Sequence, residues 1–447
     1  MSVTDTFQQG RRGVRPDFVP KEGYLEPAFA RLEADRLWTK VWQVACREEE
    51  LLRIGSFVTV DIADDSVIVV RTERDRLRAF HNVCQHRGRR LVDAAAGRTH
   101  HFACRFHAWQ WNIDGTLKEV PDHADWGNLL PACEIGLKPL KLDTWGGFVF
   151  VNMDLNAEPL RDFLGQAHTV LSPFEFDKMR FRWYKTVHLT VNWKVALEAF
   201  NEGYHVQGTH RQLLQVMDDP TRSYAYGKHG MFFQPDSESG RGIGHPAIKT
   251  NLPPSEDYRI GLLNYVVLMS KDLKAIFSDR CEKATARLLT EVPANAAPAQ
   301  MLGAMIGFWR DAAIESGAGW PDITPEQMAA GGTDWHIFPN LIVLMTPDAA
   351  ICYRARPDGT DPEACFFDVW SLQRYAPGKE PEIKRESYEN WRDFDDWGMI
   401  LSQDFENMEA VQKGMKSRGF IGSRTNPKQE VPVSNFHRAI SDYLGER

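Results

Sequence analysis

Short runs of alternating apolar and polar positions fill the chain from about residue 55 to residue 155. The segments SFVTVDI, DSVIVVRT and LRAFHNV are short, β-branched or alternating, and are separated by Asp- and Arg-containing turns. A period of two residues between turn signals is typical of β-strands with one buried face. Asp114-Gly115, between two further runs, predicts a tight hairpin. This part of the sequence therefore predicts a small antiparallel β domain.

Beyond about residue 155 the pattern is mixed and includes helical periodicity. In NWKVALEAFNEGYH the apolar residues form one helical stripe: Trp193, Ala196, Leu197, Phe200 and Tyr204. This spacing predicts an amphipathic helix through most of the segment. Strand-like segments follow at NLIVLMTP, AAICYRARP and ACFFDVWSLQRY. Helices together with an antiparallel sheet predict an α+β domain.

A last long helix is predicted from about Tyr388 to Met415. One stripe of this helix is apolar apart from a single carboxylate: Trp397, Leu401, Asp404, Met408, Val411 and Met415. Burying an unpaired carboxylate is costly, so such a residue usually has a partner. We expect Asp404 either to bind a metal or to form a buried salt bridge with an arginine.

Length and charge narrow the class of protein. A chain of 447 residues is long enough for two or more domains. The formal net charge of −8 argues against a nucleic-acid partner. No apolar run approaches the roughly 18 residues that span a bilayer, and the first residues lack the apolar segment of a secretory signal. We therefore expect a cytoplasmic protein without a membrane or nucleic-acid partner.

Two of the seven cysteines stand next to histidines, while the odd total does not resemble a secreted disulfide framework. Cys84 precedes His86, and Cys104 precedes His107. Thiolates and imidazoles at these spacings bind zinc or iron. A structural Cys2His2 zinc site is one possibility. A [2Fe–2S] cluster with both cysteines on one iron and both histidines on the other is favoured, because each half supplies one of each.

The spacing C-x-H, seventeen residues, C-x-x-H, with the flanks CQHRG and CRFHAW, closely resembles the Rieske motif. The similarity is to the Rieske domain of the large subunit of non-haem iron ring-hydroxylating oxygenases. Gln85 stands where that family often has proline, and Ala108 where it often has glycine. The resemblance implies one [2Fe–2S] cluster held by Cys84, His86, Cys104 and His107.

The same resemblance implies three parts of the chain. Residues 1–42 form an N-terminal helical segment that packs on the catalytic domain, and residues 43–155 form the small antiparallel β Rieske domain. Residues 156–447 form a larger catalytic domain in which helices cover an antiparallel sheet in a helix-grip-like arrangement. The overall fold class is α+β.

A cluster that moves single electrons needs a second iron with open positions to activate O2, and two histidines with one carboxylate are the usual ligands. His205 and His210 can share a metal only if the helix ends near them, and Gly203 and Gly208 give the backbone that freedom. By periodicity alone, His205 and the neighbouring carboxylates could equally be exposed surface residues.

NWKVALEAFNEGYHVQGTH is similar to the iron-binding segment of the ring-hydroxylating oxygenases. The resemblance implies that His205, His210 and Asp404 hold a mononuclear Fe(II). It also implies that Glu202 is the carboxylate that bridges electron transfer from the Rieske cluster of a neighbouring subunit. Most aromatic dioxygenases have Asp at this position, and Glu resembles the carnitine- and betaine-type branch.

The function implied is that of a terminal oxygenase, which hydroxylates a small apolar, aromatic substrate with O2. Electrons come from a separate ferredoxin or reductase, because the sequence shows no NAD or flavin motif. The family implies a homotrimer or an α3β3 hexamer. One alternative is a monooxygenase that demethylates a small quaternary amine or a methoxy compound. A more distant alternative is a non-catalytic zinc protein or electron carrier.

Overall fold

The computed structural model describes residues 13–218, 221–233 and 241–445. The chain divides into two compact units, which we call the cluster unit (residues 31–163 and 356–360) and the catalytic unit (residues 1–30, 164–355 and 361–447). Residues 31–42 belong to the cluster unit in this division. The boundaries expected from the sequence (1–42, 43–155 and 156–447) stay a prediction, and residues 1–12 lie outside the described residues.

The strands of the described residues are, in chain order, β1 (Val19–Pro20), β2 (Gln43–Arg47), β3 (Ser56–Ile62), β4 (Asp65–Glu73), β5 (Arg76–His81), β6 (Ala96–Arg98), β7 (His101–Ala103), β8 (Gln110–Asn112), β9 (Leu117–Glu119), β10 (Pro139–Trp145), β11 (Phe148–Asn152), β12 (Met179–Leu189), β13 (Arg222–Tyr226), β14 (His229–Phe233), β15 (Asp334–Ile337), β16 (Leu341–Met345), β17 (Ala349–Pro357), β18 (Cys365–Arg374), β19 (Arg385–Tyr388) and β20 (Gly422–Ser423).

The α-helices of the described residues are α1 (Glu22–Leu25), α2 (Pro27–Arg36), α3 (Ala132–Ile135), α4 (Leu160–Leu164), α5 (Gln166–Leu171), α6 (Trp193–Glu198), α7 (Tyr258–Asp272), α8 (Asp279–Thr285), α9 (Leu288–Glu291), α10 (Pro298–Glu315), α11 (Pro325–Gly331), α12 (Met399–Met415) and α13 (Val431–Leu444). Within this part of the chain, none of the helices combines the length and the apolar character that crossing a membrane requires.

The cluster unit contains a seven-stranded sheet, in the order β2-β11-β10-β5-β4-β3-β6, and a three-stranded sheet, β7-β8-β9. Asp114-Gly115 turns the chain between β8 and β9, as its sequence predicts. Gly115 has φ +87°, and a Cβ there would lie 2.4 Å from the ring of Phe80. The core of this unit includes Phe57, Phe80 and Trp111, and Cys84 and Cys104 are part of the same cluster of buried side chains.

The catalytic unit is built on an eight-stranded sheet, in the order β13-β14-β15-β16-β17-β18-β12-β19. Neighbouring strands from β13 to β17 pair antiparallel, as do β12 and β18, whereas β19 pairs with β12 in parallel. An antiparallel sheet with helices agrees with the predicted α+β class.

Two helices are shorter than their periodicity predicts. α6 starts after Asn192, whose side-chain oxygen accepts a hydrogen bond from the Lys194 N–H, and ends at Glu198. The chain then approaches its neighbours closely, since a Cβ on Gly203 would lie 2.5 Å from Thr221. α12 starts at Met399 rather than near Tyr388, because Gly398 has φ +86° and lies against the backbone of a neighbouring segment.

Candidate metal centres

Two similar turns carry the Cys/His pairs of the cluster unit. In each turn the cysteine carbonyl accepts a hydrogen bond from the N–H four residues later, from Gly88 to Cys84 (3.1 Å) and from Ala108 to Cys104 (3.0 Å). Gly88 and Ala108 both have positive φ, +73° and +57°. Ala108 therefore adopts the left-handed conformation that glycine adopts without strain. The turn at Cys104 therefore has the same shape with Ala108 as it would have with the glycine that is common in the family.

The four side chains of these turns lie together. Cys84 and Cys104 are each 3% exposed. The His86 and His107 ring centroids are 4.6 Å apart, and His86 stacks on Trp109 at 4.8 Å. Burial raises the pKa of the Cys84 thiol, and the neighbouring Cys104 thiol adds to the increase. Two buried thiols and two adjacent imidazoles thus form one set of candidate metal ligands.

This set fits a [2Fe–2S] cluster. The His107 Nδ1 atom is buried and has no hydrogen-bond partner among the described residues, which is the expected state of a nitrogen placed to bind a metal. Cluster binding would displace the protons of the buried thiols, because thiolate is the ligand form. Two thiolates and two imidazoles are the ligands of a Rieske centre.

A second group of ligand-type side chains lies in the catalytic unit. One ligand atom from each of His205, His210 and Asp404 lies within 4.8 Å of the others. The Asp404 Oδ1 atom is 3.0 Å from His210 Nε2 and 3.8 Å from His205 Nε2. The Asp404 Oδ2 atom is buried without a hydrogen-bond partner in the described part of the chain. Two imidazoles and one carboxylate on one side of an ion fit a mononuclear iron.

A carboxylate and a side-chain amide, each hydrogen-bonded to one histidine ring, orient the two imidazoles. The His205 Nδ1–H donates to Glu202 Oε1 at 2.8 Å, and the His205 backbone N–H donates to Glu202 Oε2 at 3.0 Å. The Gln403 side-chain oxygen accepts from His210 Nδ1–H at 2.8 Å and from the Gln212 amide at 2.9 Å. Both contacts occupy Nδ1, so Nε2 is the candidate ligand atom of each ring.

An apolar cavity of about 120 Å³ opens beside these three residues. Its lining includes Phe200, Val206 and Leu213 near the histidines, and Tyr265 and Met269 from α7. The Phe200 and Tyr353 rings stack at 3.9 Å. One further carboxyl, that of Asp334 on β15, also lines the cavity.

Several residues of this site carry no signal in the sequence. Gln403 contacts His210 across 193 positions, and Gln212 reaches the same atom from another segment. Asp334 is a single acid at the start of a strand, and Phe200 resembles any core residue of the helical stripe. Their roles depend on tertiary contacts, so periodicity and spacing cannot reveal them.

Comparison with known families decides the classification. Residues 176–263 and 291–446 match the family described as "Ring hydroxylating alpha subunit (catalytic domain)", and residues 41–138 match the Rieske [2Fe-2S] domain. The chain belongs to the ring-hydroxylating alpha subunit family. The match to a Rieske domain favours the cluster over the zinc site that the Cys/His spacing also allowed.

Curated relatives of this ring-hydroxylating alpha subunit fall into two groups. The anthranilate 1,2-dioxygenase large subunit of Acinetobacter baylyi is 34% identical over 216 residues, covering 46% of this chain and 45% of the relative. The glycine betaine monooxygenase oxygenase subunit of Chromohalobacter salexigens is 32% identical over 214 residues, covering 46% and 48%. The chain spans about half the length of the curated relatives it matches.

Solved structures share the fold. Naphthalene 1,2-dioxygenase with bound indole aligns with a TM-score of 0.65 at 20% identity, covering 96% of this chain and 92% of that one. The quaternary ammonium Rieske monooxygenase CntA with L-carnitine aligns with a TM-score of 0.64 at 17% identity, covering 96% and 97%. The family, the fold class and the two types of iron centre expected from the sequence are confirmed. The individual ligand assignments stay predictions.

Proposed function

We propose that this chain is the terminal oxygenase component of a multi-protein system. It takes electrons from a separate reductase or ferredoxin and hydroxylates a small organic substrate with O2. The observation that carries the proposal is the apolar cavity beside His205, His210 and Asp404, which gives an organic molecule access to the proposed iron ligands. Hydroxylation balances as RH + O2 + two electrons + two protons, giving ROH and water.

Bound iron supplies open positions for O2, and the Rieske cluster supplies single electrons. The residues of the chain hold the ligands in place. Asp404 is 2% exposed and presents its carboxylate from the rigid helix α12. Glu202 and Gln403 fix the tautomer and the ring orientation of His205 and His210. The apolar lining of the cavity excludes water from the reaction.

We propose Glu202 as the electron-transfer bridge to a neighbouring subunit. Its carboxylate contacts His205 and lines both the substrate cavity and a second cavity of about 370 Å³. A cluster histidine of a neighbouring subunit that reached Glu202 through the second cavity would be linked to His205 by one carboxylate. This arrangement requires a ring of subunits, as in a homotrimer or an α3β3 hexamer.

The first candidate for the substrate is a small aromatic ring compound. A dry protein cavity of about 150 Å³ holds benzene, so the volume beside the proposed iron ligands is close to that of one six-membered ring. Phe200 and Tyr353, whose rings stack on each other, line the cavity and give such a ring aromatic neighbours. Ring hydroxylation to a phenol follows the balance given above, whereas formation of a cis-diol consumes the same two electrons and two protons and retains both oxygen atoms of O2 in the product.

The second candidate is oxidative demethylation of a small quaternary amine. Relatives named as glycine betaine, choline and carnitine monooxygenases support a quaternary amine as the substrate, as does Glu at position 202. Aromatic faces in the cavity also attract methylated ammonium groups by cation–π interaction. Demethylation would release formaldehyde, which aromatic ring hydroxylation does not.

A single-turnover experiment tests the proposal without the unidentified reductase. Iron-replete protein is reduced with dithionite, freed of excess reductant and mixed with 18O2 and one probe: toluene, benzoate, glycine betaine or choline. We expect 18O in a ring product from toluene or benzoate. Formaldehyde from glycine betaine or choline alone would select the second candidate. No oxidised product from any probe, with both iron centres present, would contradict the oxygenase function.

A further inference from the structure

The Asp334 carboxyl is a polar group inside the apolar cavity. Its backbone is fixed by β15, where Asp334 is opposite Phe232 of β14 and Leu344 of β16. The residue is 2% exposed and lines the cavity together with His210 and Asp404. Its carboxyl forms no hydrogen bond or ion pair with any residue in the described ranges. Buried acids normally have such a partner.

The chemistry around Asp334 favours its neutral form. The described lining of the cavity contains no lysine or arginine, and it already contains the carboxylates of Glu202 and Asp404. Burial raises the pKa of Asp334 well above its usual range. A neutral carboxyl group carries an O–H, which is a strong hydrogen-bond donor.

We propose that Asp334 is a specificity-determining residue that donates a hydrogen bond to an oxygen acceptor on the substrate. This inference rests on the proposed oxygenase function and narrows its substrate class to compounds with a carbonyl, carboxylate, hydroxyl or ether oxygen. The substrate oxygen completes the missing contact of the carboxyl. A substrate without an acceptor leaves the O–H buried and unsatisfied, which weakens its binding.

Two pairs of isosteric probes test the proposal by equilibrium binding, under anaerobic conditions and with both iron centres loaded. Acetophenone and α-methylstyrene differ by an oxygen acceptor, and N,N,N-trimethylanilinium and tert-butylbenzene differ by a positive charge. We expect wild-type protein to bind acetophenone roughly 10- to 100-fold more tightly than α-methylstyrene. Titration calorimetry measures these affinities without turnover.

Variants assign the preference to Asp334. Asp334→Asn keeps a donor and should retain the preference for acetophenone, whereas Asp334→Leu should abolish it. Asp334→Ala serves the same purpose if the leucine variant does not fold. Tyr265→Phe is the matched control, because Tyr265 lines the same cavity and the change removes only a hydroxyl group, and it should leave the preference unchanged.

Four results would overturn the inference. They are a preference that persists in Asp334→Leu or Asp334→Ala, one that disappears in Tyr265→Phe, tighter binding of trimethylanilinium than of acetophenone, or no binding of acetophenone to wild-type protein. The binding data also separate this inference from the oxygenase proposal. Asp334-dependent binding of acetophenone without 18O incorporation in the single-turnover experiment would leave the recognition role standing and contradict the oxygenase function.

Discussion

Replacing Glu202 with glutamine tests the role of this carboxylate in holding His205. The carboxylate accepts two hydrogen bonds, one from the His205 ring at 2.8 Å and one from its backbone N–H at 3.0 Å. Glutamine has one accepting oxygen and one NH2 group. In the variant, one of the two N–H groups of His205 would therefore face the NH2 group, which cannot accept its hydrogen bond. Glu202 is 7% exposed, so water cannot easily replace the lost contact.

The size of the effect follows from these contacts. Loss of one hydrogen bond to a buried charged group costs about 1.5–3 kcal/mol. At about 1.4 kcal/mol per factor of ten, Fe(II) binding at the mononuclear centre should weaken roughly 10- to 100-fold. At other metal sites, mutation of the hydrogen-bond partner of a ligating side chain has an effect of the same order.

Anaerobic competition with a chromophoric ferrous chelator measures the affinity. The visible absorbance of the cluster is the internal standard, and it should stay constant because the cluster ligands are in the other unit. Glu406→Gln is the matched control, since Glu406 is exposed on α12 two positions after Asp404. An unchanged affinity in Glu202→Gln, or equal weakening in the control, would refute this role of Glu202.

Three further changes have defined outcomes. Gln403→Ala removes the acceptor of the His210 Nδ1–H and should weaken Fe(II) binding about 3- to 30-fold, because a neutral acceptor contributes less than a charged one. Unchanged Fe(II) affinity in the same chelator competition would contradict this prediction. Burial raises the pKa of Glu430 to about 7 from 4.5, so the folded state holds the extra proton and loses stability as pH rises from about 4.5 to 7. Because Glu430 is partly exposed, we expect it to account for only about 1–2 kcal/mol of the loss in unfolding free energy between pH 5 and pH 7.5. This part of the loss should be absent in Glu430→Gln, as measured by thermal unfolding at the two pH values. Equal losses in the wild type and the variant would contradict the prediction. Gly115→Ala places a methyl group against Phe80 at positive φ and should destabilise the cluster unit by about 2–4 kcal/mol. The measurement is the temperature at which the visible absorbance of the cluster is lost on heating. An unchanged temperature would show that the turn adapts to the methyl group.

Much of the candidate site follows from short-range sequence patterns. The two Cys/His pairs are recognisable because each pair lies within one turn, so the ligand spacing is visible in the sequence. Asp404 is recognisable because a carboxylate interrupts an apolar stripe, and Asp404 is indeed 2% exposed. Val411 of the same stripe is 45% exposed, so the periodicity overstates the buried face.

The ends of helices and the orientation of ligands could not be predicted in the same way. Tyr204 continues the stripe of α6 in the sequence, but it is 44% exposed, because the helix ends at Glu198 and a 3₁₀ turn follows from Tyr204 to Gln207. The apolar segments at 258–269 and 338–345 contribute Tyr265, Met269 and Leu344 to the cavity, whereas none of residues 301–309, which are equally apolar in the sequence, is part of its described lining. Where a helix ends, and which apolar segment reaches the cavity, depend on how each helix or strand packs against the sheet. This packing cannot be predicted from the sequence pattern alone.

Metal analysis combined with electron paramagnetic resonance tests the central claim, that one chain holds a Rieske cluster and a mononuclear iron. Aerobically purified protein is analysed for iron, zinc and sulfide, and the dithionite-reduced form is examined by visible and resonance spectroscopy. We predict up to three irons per chain, two of them in a cluster with visible absorbance and a low average g value. Zinc in place of iron, with no visible absorbance, would contradict the account.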